Sequence, residues 1–265
     1  MAHRSAGQSV LSRLLTVLES FDQEHSSLTM AELTRRSGLP APTVYRLVGD
    51  LVESGLLERA ESREVRLGVR LWELAALAPR ALGLRVAAMP FMVDLQATVR
   101  QHVVLTVLEG HESVVIEKLS ARDAMPTCYR LGGRLPLHAT TGGLILLAHA
   151  DQALQDAFLS APLRAYTPLT PTEPEVVRRL LADIREHGHI ICKGYVSPHA
   201  LGVGVPIWSP QGEVLAALIV AVPIEDAQPI AHIPALTIAS RGITRALASP
   251  PAPRQLPRFV PILNP

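Results

Sequence analysis

The chain has 265 residues, 48% of them hydrophobic, and this length suits two domains better than one. Its formal net charge is +1, and residues 1–70 contain nine arginines against nine acidic residues, so bulk charge indicates no particular partner. Two cysteines exclude a disulfide framework, and the lack of a signal-peptide core or an uncharged bilayer-length run predicts a cytoplasmic protein with no membrane partner.

Three helical segments are predicted at the start of the chain. Apolar residues recur at helical spacing over Val10–Phe21 and predict the first helix. Thr29 and Glu32 form a Thr-x-x-Glu capping box, in which each side chain accepts a backbone N–H, and Gly38 ends the second helix. A third helix follows at once, with Pro42 in its first turn, where the missing N–H costs nothing.

The period then changes to that of strands. Two short runs, Leu56–Arg59 and Val65–Leu67, flank the polar turn Ala60–Glu64 and predict a hairpin. Three helices followed by a hairpin are typical of a winged helix-turn-helix. We therefore predict that residues 1–68 form a DNA-binding domain.

The third predicted helix carries the candidate DNA-reading residues. In a helix-turn-helix, the second helix of the motif lies in the major groove with its N-terminal residues at base edges. Thr43, Tyr45 and Arg46 occupy that end, and Arg46 can hydrogen-bond guanine O6 and N7 together or hold a phosphate. The alternative is an ordinary solvated helix face. Further candidate phosphate contacts, each also compatible with a plain surface charge, are Arg13, Arg35, Arg36, Arg63 and Arg66.

Residues 69–82 are predicted to form a linking helix and a hinge. Leu71, Trp72, Leu74 and Leu77 make the helix more apolar than a lone connector requires. A helix of this kind usually packs on a second copy of the chain, which predicts self-association. The alternative is that it packs on its own domain. We place the hinge around Ala78–Leu84.

The second predicted domain spans residues 83–248. A helix from about Leu84, interrupted at Pro90, leads into strands and helices that alternate until a last helix over Ile233–Leu247. This order predicts an α+β fold with an antiparallel sheet flanked by helices. Residues 249–265 contain six prolines and are predicted to be extended or disordered.

Motifs in both halves resemble the IclR family of bacterial regulators. In the first half these are Leu28–Leu33, Thr43–Leu47 and Leu56–Gly68, and in the second Gly133–Gly143 and Gly212–Leu218. The resemblance covers about residues 8–247. It implies a GAF-like effector domain, a homodimer or dimer of dimers, and binding to a double-stranded DNA operator under the control of a small molecule. It implies no enzyme activity and no cofactor.

The resemblance also implies where the effector binds. The matching positions are Ala124, Thr127, Leu135, Thr141, Gly142, Gly143, Cys192, Ala200, Gly202, Ile219 and Ala221. Family members that bind small hydrophilic acids tend to have a carboxylate at the position of Cys192 and serines at those of Ile219 and Ala221. A floor of Cys, Ile and Ala offers few hydrogen bonds. We therefore expect a larger aromatic or apolar acid, its carboxylate held by backbone amides of Thr141–Gly143.

Several alternatives stay open from the residues alone. One is that the altered pocket positions are core repacking, with altered signalling. A second is a metal- or redox-sensing regulator, because His187, His189, Cys192 and His199 lie close in sequence, although no zinc-site spacing is present. A third is a small-molecule-binding or enzymatic domain with a winged helix that does not bind DNA. The leading hypothesis is an effector-responsive regulator, by default a repressor, with no metal and no catalytic residue.

Overall fold

The computed structural model describes residues 9–248, except 23, 61, 62, 78, 226 and 227 and the side chains of 79–81. The chain divides into two compact units, residues 1–82 and 83–265. The predicted proline-rich tail, residues 249–265, and two residues of the predicted hairpin turn lie outside the described residues.

The first unit consists of three helices and a small antiparallel sheet. Its elements are α1 (Val10–Leu18), β1 (Ser27–Leu28), α2 (Met30–Ser37), α3 (Ala41–Glu53), β2 (Leu57–Arg59) and β3 (Val65–Leu67). The sheet has the order β1-β3-β2, so β3 pairs with both other strands, and Arg66 lies opposite Ser27 on one side and Glu58 on the other. The predicted winged helix-turn-helix is confirmed, and the two-residue strand β1 was not predicted.

Local signals in the sequence explain the boundaries of α2 and α3. The Thr29 hydroxyl accepts the Glu32 backbone N–H at 3.3 Å and the Glu32 carboxylate accepts the Thr29 N–H at 2.8 Å, which is the predicted capping box. Gly38 ends α2 in the left-handed conformation, with φ of 67°, where a side chain would be strained. Pro42 lies in the first turn of α3, where no helical acceptor is lost.

The three helices and the sheet of this unit enclose one core. Its buried members on the helices are Val17 of α1, Leu33 of α2 and Val44, Leu47, Val48 and Leu51 of α3. Burying each such side chain contributes roughly 1.5–3 kcal/mol, which holds α3 in a fixed place relative to the other two helices.

Two further helices follow, α4 (Val69–Ala75) and α5 (Pro79–Val99). The predicted interruption at Pro90 is wrong, because α5 continues through it. A proline inside a helix removes the hydrogen bond to the carbonyl four residues earlier, here that of Val86. Val86 and Pro90 both lie on the exposed side of α5, so water can satisfy the freed carbonyl. Most of the predicted hinge is also helical, since α5 begins at Pro79.

Within the described residues, α5 is the one helix long and apolar enough to cross a membrane, over Leu82–Val99, as judged by length and composition. It carries Arg85 and Asp94 in this stretch. Leu84, Ala88, Met92 and Leu95, spaced by three or four residues, are buried in the core of the second unit. This spacing gives α5 one face buried in that core.

The second unit is built on a six-stranded antiparallel sheet of order β6-β5-β4-β9-β8-β7. Its strands are β4 (His102–Glu109), β5 (Glu112–Ser120), β6 (Arg134–Pro136), β7 (Ile190–Lys193), β8 (Ala200–Trp208) and β9 (Val214–Pro223). Its further helices are α6 (Thr141–Ala148), α7 (Gln152–Leu159), α8 (Pro174–His187) and α9 (His232–Ala248), with a 3₁₀ turn at Pro229–Ala231. The predicted α+β class is confirmed.

Helices cover both faces of this sheet. On one face α5 and α9 bury Met92 and Ile243 against β4, β8 and β9. On the other face α6 and α8 bury Leu144 and Ile184 against the same strands. Every residue of α6 is buried, so its N-terminus lies inside the unit. Helix α7 was not predicted, since it is short, although Asp151 caps it by accepting the Leu154 N–H at 2.7 Å.

Candidate functional sites

Helix α3 presents one buried and one exposed face. Val44 and Leu47 are buried, whereas Tyr45 is 58% exposed and Arg46 lies beside it on the exposed side. Thr43 is half-buried. Arg46 Nη1 lies 3.1 Å from Asp50 Oδ2, and both side chains are mostly exposed. Such an exposed pair contributes little stability, so a phosphate or a base edge can displace the carboxylate.

The other predicted DNA contacts differ in their surroundings. Arg36 bonds the Ser20 carbonyl at 2.7 Å and pairs with Asp22, so it ties α2 to the segment after α1. Hydrogen bonds from His25 and Arg36 lower the pKa of Asp22 to about 2. Arg66 pairs with Glu58 across the hairpin at 3.1 Å. The remaining three were Arg13, half-buried with Nε unpartnered among the described residues, and the exposed Arg35 and Arg63.

The second unit contains a small cavity beside the N-terminus of α6. Its volume is about 40 Å³, and it lies between α6, strands β7 to β9 and two loops. Its lining residues are Thr127, Cys128, Tyr129, Ala139, Thr140, Thr141, Cys192, Tyr195, Val196, Ser197, Ala200, Leu201, Gly202 and Ala221.

The structure brings six of the predicted effector residues to this cavity: Thr127, Thr141, Cys192, Ala200, Gly202 and Ala221. The other five, Ala124, Leu135, Gly142, Gly143 and Ile219, do not line it. Gly142 packs against the sheet, since a Cβ there would lie 2.4 Å from Thr106 Oγ1 and 2.9 Å from Ile219 Cδ1. The Gly143 N–H donates to the Thr140 hydroxyl at 3.2 Å.

Sequence reasoning missed several lining residues, above all the two tyrosines, Tyr129 and Tyr195. Both lie on loops, where no periodicity indicates which side chains point inward. Tyr129 is buried, and its backbone carbonyl accepts a hydrogen bond from Lys118 Nζ at 2.9 Å. The loop of Tyr129 is therefore attached to β5 by a lysine side chain.

Thr141 is the central polar side chain of the cavity. Its methyl and hydroxyl groups pack against β8, where a Cβ at Gly202 would lie 2.1 Å from Thr141 Oγ1 and one at Gly204 would lie 2.8 Å from Thr141 Cγ2. These two glycines allow the N-terminus of α6 to approach β8 closely. Interaction with the Thr141 side chain partly opposes the rise that burial causes in the pKa values of Tyr129 and Cys192.

Both buried acidic groups of the cavity stay protonated. Burial raises the pKa of the Cys192 thiol to about 12, and hydrogen bonding to Thr141 only partly opposes this. Burial likewise raises the pKa of Tyr129, the other buried group. Partial desolvation of the thiol also raises the pKa of Cys128, although that residue is exposed as a whole. Since the thiolate is the reactive form of cysteine, these thiols are poor candidates for redox sensing at neutral pH.

Among the residues that the structure describes, the lining of the cavity contains no Lys, Arg, His, Asp or Glu side chain. Its polar groups are hydroxyls, thiols and the start of α6, whose first-turn amides at Thr141 and Gly142 have no acceptor within the helix. Such amides, together with the helix dipole, favour a carboxylate or another hydrogen-bond acceptor. The site therefore suits a largely apolar molecule with one acceptor group.

The histidines proposed as metal ligands are not gathered into a site. His187 and His189 are neighbours, their ring centroids 6.2 Å apart, and each ring donates its Nδ1–H to a backbone carbonyl. Cys192 lines the cavity and His199 is exposed on the loop before β8. Across the part of the chain that the structure describes, no three His, Cys, Asp or Glu side chains form a group able to hold a metal ion.

Comparison with protein families agrees with both units. Residues 10–61 match the family model described as IclR helix-turn-helix domain. Residues 77–229 match that described as bacterial transcriptional regulator IclR C-terminal, and this match alone covers more than half of the chain. The chain belongs to the IclR family.

Relatives of this IclR-family chain are regulators, not enzymes. The HTH-type transcriptional regulator XynR of Escherichia coli (strain K12) is 29% identical over 243 residues, which are 90% of this chain and 96% of XynR. The Pca regulon regulatory protein of Pseudomonas putida is 27% identical over 215 residues, 78% of this chain and 72% of that protein. The chain is thus a helix-turn-helix transcription regulator with an effector-binding C-terminal domain, as predicted.

Solved structures agree with this assignment. An IclR homolog from Microbacterium hydrocarbonoxydans, complexed with 4-hydroxybenzoate, is 41% identical with a TM-score of 0.85, and the match covers 91% of this chain and 99% of the homolog. An IclR transcriptional regulator from Silicibacter sp. TM1040 is 30% identical with a TM-score of 0.74, and the match covers 92% of this chain and 98% of that one.

Proposed function

We propose that this IclR-family protein is a cytoplasmic repressor that binds a double-stranded DNA operator as a homodimer or dimer of dimers. Its effector is an aromatic organic acid, which binds in the cavity at the N-terminus of α6. Repression is supported by relatives that are named as repressors. One is the AllR protein of Escherichia coli (strain K12), which is 25% identical over 222 residues. Thr43, Tyr45 and Arg46 at the start of α3 read the operator.

The lining of the cavity supports an aromatic acid over a small hydrophilic acid. A two- or three-carbon acid presents polar atoms on nearly all its surface, and each atom left without a partner in a buried site costs roughly 1–3 kcal/mol. Ala200, Gly202 and Ala221 offer no side-chain donor. An aromatic ring can pack against these apolar walls, while the first-turn amides and the Thr141 hydroxyl hold the carboxylate of the effector.

The cavity must enlarge before it can hold an aromatic acid. Its volume is about 40 Å³, whereas a protein cavity that binds benzene has about 150 Å³. The strands and α6 are buried and closely packed, so the added volume comes from the loops that carry Tyr129 and Tyr195. Effector binding therefore moves at least one of these loops outward.

The 4-hydroxybenzoate complex of the Microbacterium hydrocarbonoxydans homolog supports the ligand class independently of this chemistry. An aromatic acid in a 41% identical homolog of the same fold makes a benzoate-type effector the first compound to test.

Calorimetry on the full chain tests the ligand class. We expect 4-hydroxybenzoate and benzoate to bind at least 100-fold more tightly than glyoxylate and pyruvate. Thr141→Val, which keeps the shape of the side chain but removes the hydroxyl, should weaken benzoate binding about 10-fold or more, as expected for a lost hydrogen bond to a charged group.

Thr237→Val is the matched control. Thr237 lies on α9, where its hydroxyl bonds the Ile233 carbonyl at 2.8 Å, and it does not line the cavity. It should leave benzoate affinity unchanged. Tighter binding of glyoxylate or pyruvate than of both aromatic acids would refute the proposed ligand class.

A further inference from the structure

Strand β5 contains an irregularity beside two charged neighbours, Glu117 and Lys118, which lie on opposite faces of the sheet as successive strand residues do. Leu105 of β4 lies opposite Glu117, but the next residue, Thr106, lies opposite Val115, so Ile116 is an extra residue on β5. This is a β-bulge, a feature that re-aims side chains and is common beside functional sites. After it, Glu117 shares the face of Leu105, and Lys118 shares the face of Val104.

The two faces lead to different parts of the unit. Leu105 belongs to the core formed with α5 and α9, and Val104 belongs to the core formed with α6 and α8. Glu117 is therefore aimed toward α5, and Lys118 toward the side of the cavity. Successive residues of one strand thus connect the two layers of helices.

Lys118 holds the loop of the cavity. Its Nζ donates to the Tyr129 carbonyl at 2.9 Å, and the Tyr129 side chain lines the cavity. Lys118 is one of only two lysines in the chain, the other being Lys193. Outward movement of this loop must stretch or break the bond to Lys118.

Glu117 holds α5. One carboxylate oxygen accepts the Lys118 backbone N–H at 2.9 Å, and the other pairs with the guanidinium of Arg85 on α5. The Glu117 side chain is buried, whereas that of Arg85 is 49% exposed. A buried carboxylate without its cation is strongly destabilised, so Glu117 and Arg85 stay together when either moves.

We propose that Glu117 and Lys118 are positioning residues that couple the effector cavity to α5, the helix through which the chain continues toward the DNA-binding unit. This coupling rests on the proposed function. An outward shift of the Tyr129 loop changes the position of Lys118, and with it the Glu117 carboxylate and Arg85. The effector then binds more tightly to the conformation with one position of α5 than to the other. Regulation requires such a difference in affinity.

Two affinities of the full chain test this coupling. Calorimetry gives the Kd of 4-hydroxybenzoate. Fluorescence anisotropy, with a fragment from upstream of the protein's own gene, gives the DNA affinity with and without saturating 4-hydroxybenzoate. The ratio of the two DNA affinities is the response, and couplings of this kind are typically about 5- to 150-fold.

Arg85→Met is the first variant, because Arg85 is half-exposed and does not line the cavity. We expect its Kd for 4-hydroxybenzoate to stay within about threefold of wild type, while the response falls at least fivefold. Arg241→Met is the matched control, since Arg241 is an exposed arginine on α9. Arg241→Met should leave the Kd for 4-hydroxybenzoate and the response unchanged. Thermal unfolding should show that all variants are folded.

Lys118→Met should also reduce the response, and Lys118→Arg should restore a large part of it, because guanidinium can still donate to the Tyr129 carbonyl. A purely structural role would lower stability without changing the response per bound effector. A full wild-type response in Arg85→Met would overturn the coupling and leave the proposed function intact. Failure of wild type to bind 4-hydroxybenzoate would overturn the proposed function and the coupling with it.

Discussion

In the proposed function, operator reading depends on Tyr45 and Arg46. Both are exposed at the start of α3, while Val44 and Leu47 fix the helix from the other side. The exposed Arg46–Asp50 pair is weak, so DNA gains a free guanidinium at little cost. Hydrogen bonds from such a side chain to a base edge are worth roughly 1–3 kcal/mol each.

We therefore expect Tyr45→Ala/Arg46→Ala to weaken operator binding by about 10- to 1,000-fold, from one or two lost contacts of this size. Anisotropy with the upstream fragment at several salt concentrations measures the loss. Removing a phosphate contact would also make the dependence on salt shallower.

Tyr166→Ala/Arg178→Ala is the control for this loss. It removes the same two residue types from the second unit, and Arg178 resembles Arg46 because it pairs with a carboxylate of its own helix, that of Glu175. The control should bind DNA like wild type. Unchanged affinity in a folded Tyr45→Ala/Arg46→Ala protein would show that α3 does not read the operator.

The effector cavity shows how far single residues are predictable. Thr141 was found because it lies in a motif shared with a family, and Cys192 and Gly202 because they match pocket positions that the family resemblance implies. Tyr129 was not found, since its position depends on how the β5–β6 loop folds back and on the bond from Lys118 to its carbonyl. Gly142 was assigned to the lining, but it is needed for close packing on Ile219. Sequence patterns indicate that a glycine matters, without showing which neighbour requires it.

At the scale of elements, α4 is the helix with the least support from its surroundings. It has no buried residue, and Trp72 is 71% exposed and Leu77, just beyond the helix, 77% exposed. Val69 and Leu74 are exposed as well. Apolar surface of this kind favours contact with a second copy of the chain, as the proposed homodimer requires.

Trp72→Lys should therefore shift the protein from dimer to monomer at micromolar concentration, because a lysine at the centre of an apolar contact is costly to bury. Light scattering coupled to size exclusion measures the mass. Ile230→Lys is the control: Ile230 is also 71% exposed but lies in the 3₁₀ turn before α9. If Trp72→Lys keeps the mass of wild type, α4 is not the contact.

The elements were predicted best where a strong local signal was present. The capping box at Thr29 and the glycine at 38 gave the bounds of α2 to within a residue. Pro90 misled the prediction for α5, since a proline breaks a helix only when its lost hydrogen bond cannot be replaced by water. Helix α7 was missed because its eight residues make only about two turns, too short a stretch for a clear helical period.

At the scale of the whole molecule, the two units have separate cores. The buried residues of residues 1–82 form one cluster, and those of residues 83–265 form two clusters on the two faces of one sheet. A region with its own closed core is expected to fold by itself. The boundary at residue 82 falls inside α5, so a chain cut there would lose the first turn of a helix that the second core needs.

We propose that residues 79–248 form an independent effector domain, with α5 kept whole. A chain of these residues should unfold cooperatively on heating and bind 4-hydroxybenzoate with a Kd within about threefold of the full protein, because every lining residue of the cavity lies between Thr127 and Ala221. Circular dichroism and calorimetry measure both properties. A chain starting at residue 88, which removes Leu84 and Arg85, should be less stable, since Leu84 is buried in the core and Arg85 neutralises Glu117. Cooperative unfolding of the longer chain without ligand binding would mean that the DNA-binding unit helps to form the cavity, and the signal from effector to operator would then not pass through α5 alone.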